Sequence, residues 1–147
     1  MYSIKTEVIE NSLENNKPIV IRIYNEDIIL FSLKLNLELN GNLTPTLNTG
    51  YVYSSKRLDK FIKCLTNNIN FDFVIDKEEG EKYCGFNFMN NVIIFTYEFE
   101  NISISSLLNI EDCKETIIED FINMKKVIDL EVIKKKEFYN SVIEKEI

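Results

Sequence analysis

Residues 69–100, INFDFVIDKEEGEKYCGFNFMNNVIIFTYEFE, decide the fold. Ile69, Phe71, Phe73 and Ile75 alternate with Asn70, Asp72 and Asp76, a period of two that buries one face of a strand and wets the other. Lys77-Glu78-Glu79-Gly80 reads as a turn, and residues 83–89 and 92–99 read as two more strands joined at Asn90-Asn91. Strands joined by turns this short must pair antiparallel, because a parallel return needs a crossover of about a dozen residues or more. The stretch is therefore a three-stranded meander.

A helix is expected just before it. Leu58, Phe61, Ile62 and Leu65 fall at i, i+3, i+4 and i+7, Ser54 or Ser55 is placed to cap the first turn, and Asn67-Asn68 ends the stripe. Further upstream, Leu33, Leu35, Leu37 and Leu39 alternate with Lys34, Asn36, Glu38 and Asn40 before Asn40-Gly41-Asn42 breaks the strand. Residues 19–24 form a β-branched run that meets Asn25-Glu26-Asp27 and resumes at Ile28, a hairpin pattern. Pro45 and Gly50 frame a loop returning to Tyr51-Val52-Tyr53, and in residues 1–17 Ile4, Val8 and Ile9 fit either a helical turn or a short strand, with a strand entry followed by a loop over residues 11–17 favoured. Downstream, Asp112 and Glu115 have the spacing of a capping box ahead of Ile117, Phe121, Met124 and Ile128. Leu130, Ile133, Phe138 and Val142 continue that helix less regularly, with a bend or break expected near Asp129.

The order strands, helix, strands, helix lacks the β-α alternation of parallel sheets. The fold class expected is α+β: a mostly antiparallel sheet with a mid-chain helix, 55–66, and a long C-terminal helix, 112–128 or beyond, packed on one face. No linker or repeat divides residues 1–147, which are expected to form a single domain.

Composition narrows the function classes. With 45% hydrophobic and 28% charged residues the chain matches a soluble globular domain, and its longest apolar runs, such as residues 92–95, fall far short of the roughly 18 needed to span a membrane. The first residues carry Glu7, Glu10 and Glu14 without a basic segment leading into an apolar one, so no signal peptide is read, and a cytoplasmic location without a membrane partner is expected. A formal charge of −7 opposes direct nucleic-acid binding, which needs clustered Lys and Arg, and suits a basic partner. Cys64, Cys84 and Cys113 are odd in number and set in apolar surroundings, as reduced buried thiols are.

There is no histidine, hence no general base with an ordinary pKa near neutrality. Part of that absence is compositional: Ala, Gln and Trp are missing too, only Arg22 and Arg57 are arginines, and Ile, Asn, Lys, Phe and Tyr are abundant, as AT-rich coding favours. The remaining candidates for chemistry each have a simpler role. Asp72, Asp76, Glu78, Glu79 and Glu81 crowd one hairpin without the spacing of a calcium loop. Asp112-Cys113-Lys114 matches the D-x-K of nucleases but opens a helix, where those lie on a strand. Ser54-Ser55-Lys56 has no glycine elbow, the thiols have no histidine to activate them, and four glycines make no phosphate loop. No catalytic residue, cofactor or metal ligand is expected.

What remains is surface. Asp72, Asp76, Glu78, Glu79, Glu98 and Glu100 occupy wet strand and loop positions, and Tyr83 and Tyr97 lie among them as aromatic anchors; these eight are the candidate partner contacts. Glu111, Asp112, Glu115, Glu119 and Asp120 crowd the start of the last helix, and Tyr51 and Tyr53 offer further aromatic contacts. Open edge strands would also allow a homodimer.

The segments FSLKLNLELNGN, SSKRLDKFIKCL, the meander quoted above and ETIIEDFINMKKVI together resemble small bacterial immunity proteins of polymorphic-toxin and contact-dependent inhibition systems, the WapI-like kind in particular. The resemblance spans about residues 19–128, lies in element order and apolar positions, and includes no diagnostic motif. It implies an acidic cytoplasmic antitoxin that binds and blocks a cognate, basic protein toxin, with contact residues that differ between members. The alternatives are a phage-encoded anti-defence inhibitor whose carboxylates mimic nucleic-acid phosphates and, further off, a metal-dependent hydrolase using the carboxylates of residues 72–81.

Overall fold

The computed structural model describes residues 1–9, 19–37, 43–45, 55–78, 82–99 and 102–146. Strands β1 (Tyr2–Val8), β2 (Ile19–Asn25), β3 (Ile28–Leu37) and β4 (Leu43–Pro45) precede helix α1 (Ser55–Asn67). Strands β5 (Phe71–Glu78), β6 (Lys82–Met89), β7 (Val92–Phe99) and β8 (Ile102–Asn109) follow, and helix α2 (Lys114–Glu146) comes last. The class is α+β with all strand pairs antiparallel. The strands do not make one sheet. They form two of four strands each, ordered β1-β2-β3-β4 and β5-β6-β7-β8. Every strand pairs with its neighbour in the chain, and α1 interrupts that run between β4 and β5.

The register shows which faces meet. In the first sheet Ile4 lies opposite Ile23 and Val8 opposite Ile19; in the second Phe88 lies opposite Ile93, and Ile93 opposite Leu108. These residues share one core with Leu58, Phe61, Ile62 and Leu65 of α1 and with Ile117, Phe121, Met124, Ile128 and Val132 of α2. Phe121 sits at the junction. Its ring meets Phe61 and Phe86 edge-on, with centroids 5.2 Å from each, while Phe86 lies 4.8 Å from Phe95. The alternation and the helical stripes therefore converge on a single apolar interior, the main source of stability in a domain of this size.

Local chemistry sets the element ends. Asn68 has φ 56°, and the Ile69 N–H reaches back 2.9 Å to the Cys64 carbonyl, a left-handed cap that terminates α1 where Asn67-Asn68 was expected to. Asn90 and Asn91 both have positive φ, 52° and 63°, as a two-residue hairpin turn matched to strand twist requires. The first α2 hydrogen bond joins the Ile117 N–H to the Cys113 carbonyl, so the helix starts one residue later than a capping box at Asp112 would place it.

α2 also runs on past Asp129 without a break. The Asp129 carboxylate accepts from Ser55 Oγ of α1 at 2.9 Å and from Lys125 Nζ one turn earlier at 3.1 Å, which joins the two helices at that point. Val132 is the last buried position on α2 among the residues whose side chains are described. Among the described residues no helix is long and apolar enough to cross a membrane.

Candidate protein-docking surface

The second sheet hands the chain to α2 through a tight turn. The Asn109 side-chain oxygen accepts from the Glu111 N–H and the Ile110 carbonyl from the Cys113 N–H, each at 3.0 Å. Ile110 and Cys113 are buried, and with these two anchors fixed, Glu111 and Asp112 are left exposed. The turn, the first turn of α2 and the end of α1 enclose an open cleft of about 530 Å³ lined by Thr66, Glu111, Asp112, Lys114, Glu115 and Ile118, among others. Three of these side chains are carboxylates. Lys114 is the cation among them, and its ammonium lies 5.8 Å from the centre of the Phe88 ring.

Carboxylates gathered here repel one another, and the positive end of the α2 dipole offsets part of that cost. The arrangement favours a guanidinium or ammonium brought by a partner. Glu119 extends the acidic face by one turn. Asp120 turns inward instead: its Oδ2 accepts the Ile4 N–H at 2.8 Å. Burial pushes its carboxyl pKa up and the neighbouring Glu119 adds to the rise, against the lowering effects of the Ile4 hydrogen bond and Lys5. Cys64 and Cys113 are free, buried thiols. Among the described residues no cluster of three or more Cys, Asp or Glu is placed to hold a metal ion.

The residues anticipated as partner contacts are distributed over the second sheet. Asp72 is exposed, and its backbone carbonyl accepts from Arg57 Nη2 at 3.0 Å. Tyr83 occupies the register position opposite Lys77 on one side and Glu98 on the other, while Cys84 stands opposite Asp76 and Tyr97. Glu78 pairs with Lys82. Successive strand positions belong to opposite faces, so the Tyr83–Glu98 row and the Asp76–Tyr97 row belong to opposite faces of the sheet. Glu79 and Glu100 lie outside the described residues, as do Tyr51 and Tyr53. The acidic residues that do converge, Glu111, Asp112 and Glu115, were visible in the sequence only as a helix start rich in carboxylates. Comparison with protein-family models, with curated proteins and with solved structures returns no match.

Proposed function

We propose that the protein acts by binding, as an immunity-type inhibitor that covers a basic protein toxin. The observation that carries this reading is the convergence of Glu111, Asp112 and Glu115 on an open cleft, in a chain of formal charge −7. Carboxylates in such a cleft steer a cationic surface toward it and fix its orientation. The resemblance in element order to toxin-immunity proteins supports the class of partner.

The test is co-purification of the tagged protein with the product of the adjacent gene, followed by association kinetics at two salt concentrations. The association rate is expected to fall about tenfold or more between roughly 0.05 and 0.5 M salt, because exposed charges beyond a Debye length are screened. Glu111→Lys with Glu115→Lys should slow association by a similar factor at low salt, while the unfolding transition stays cooperative and loses no more than about 1–2 kcal/mol to the cations placed at the positive end of α2. Binding indifferent to salt and to both substitutions would contradict the proposal.

A further inference from the structure

A sheet edge exposes unpaired N–H and C=O groups, and proteins close such edges with charge, proline, brevity or a covering element. Among the described residues, three of the four edges carry such a device. On β1, Asp120 of α2 accepts the Ile4 N–H. On β5, Arg57 donates to the Asp72 carbonyl, and the register slips between Val74 and Asp76. β4, described over Leu43–Pro45, contains Pro45. β8 has none of these devices. It runs eight residues, ISISSLLN, in unbroken register with β7, and it contains neither a charge nor a proline. Ile104 and Leu107 are 45% and 66% exposed, Ser103 and Ser105 are exposed, and among the described residues no strand pairs with its outer side.

We infer that β8 is a docking edge that receives an extended, basic-flanked strand of the protein partner, extending the β5-β6-β7-β8 sheet by one strand. This rests on the inhibitor reading above and names the segment of the partner that is held. Carboxylates stand where the bare edge ends: Glu111, Asp112 and Glu115 follow Asn109 and line the cleft there. A strand with an apolar, uncharged middle and Lys or Arg at its ends satisfies both the backbone groups and these carboxylates. A second copy of this chain does not. β8 pairing of two copies would bring together two chains of formal charge −7 and leave Glu111, Asp112 and Glu115 of each without a cation.

The probe is the synthetic peptide Lys-Lys-Val-Thr-Val-Thr-Val-Lys-Lys, titrated into the full chain by calorimetry. It is compared with a version carrying Glu for every Lys and with one N-methylated at alternate amides. The basic peptide is expected to bind and to slow hydrogen exchange at the β8 amides; the Glu version should bind about tenfold more weakly or worse at low salt, and the N-methylated one not measurably. The double substitution Ile104→Lys with Leu107→Lys should weaken the basic peptide by a similar factor, with an unchanged unfolding midpoint confirming the fold. Equal binding of the basic and N-methylated peptides, no binding of the basic peptide, or self-association through β8 would overturn the proposal. If Glu111→Lys with Glu115→Lys abolishes binding while N-methylation and the β8 substitutions do not, the edge assignment falls and the inhibitor reading stands.

Discussion

Phe121→Ala probes whether two sheets and two helices share one interior. The ring is fully buried and lies edge-on to both Phe61 and Phe86, with interplanar angles of 74° and 86°. Truncating a core phenylalanine costs about 3–5 kcal/mol, and each edge-to-face pair adds about 0.5–1.5 kcal/mol beyond buried area. Losing both pairs puts the variant near the upper end, about 5 kcal/mol, a large share of the roughly 5–15 kcal/mol that holds a domain together. Phe121→Leu keeps most of the volume and should cost about 1–2 kcal/mol. Urea unfolding followed by far-ultraviolet circular dichroism and by tyrosine fluorescence reads both, since the chain has seven tyrosines and no tryptophan. The two signals should shift together in one transition, with the melting temperature of Phe121→Ala lower by about 15 °C. A loss below about 2 kcal/mol, or two transitions of which one stays in place, would show that the sheets do not share a core through this ring.

Asp120 gives a pH signature. Its folded pKa is raised, chiefly by burial, so its contribution to stability is full below the unfolded pKa and is lost as pH rises through the folded one. Asn at this position still accepts the Ile4 N–H without ionising. Wild type should therefore lose stability relative to Asp120→Asn as pH rises from the ordinary carboxylate pKa of about 3.9 through the raised folded one, and parallel curves from urea unfolding across a pH series would contradict this. Asp120→Ala leaves the β1 amide without its acceptor and should cost about 1 kcal/mol. Thr6 lies opposite Ile21, with its hydroxyl oxygen buried and without a hydrogen-bond partner among the described residues. Thr6→Val should be neutral or stabilising by up to about 1 kcal/mol in the same assay; a clear loss would reveal a partner for that hydroxyl.

The sequence showed α1, β6 and β7 because each combines a clean apolar period with a chemically marked end, at Asn67-Asn68 and at Asn90-Asn91. It did not show β8. There the positions on the Leu108 face run Ile104, Ser106, Leu108, of which Ile104 is exposed and the polar Ser106 lies opposite Phe95, while Leu107 is apolar and exposed on the other face. A polar residue inside and an apolar one outside erase the alternation that marks a strand. The division into two sheets was equally hidden, because alternation reveals which face of a strand is buried but not which strand lies beside it. The less regular apolar spacing after Ile128 suggested a bend or break near Asp129, whereas in the fold the Asp129 carboxylate is held by Ser55 and Lys125 and the helix continues. The candidate docking surface was legible as an excess of carboxylates. Their convergence depends on the turn that buries Ile110 and Cys113, and the open edge depends on the pairing order.

Hydrogen exchange of the protein, free and in complex with the product of the adjacent gene, tests the central claim most directly. Strong slowing of the amides of Ile102–Asn109 on complex formation, with the β1 and β4 amides unchanged, is the predicted result. A tight complex that leaves β8 exchange untouched and protects only other segments would contradict it.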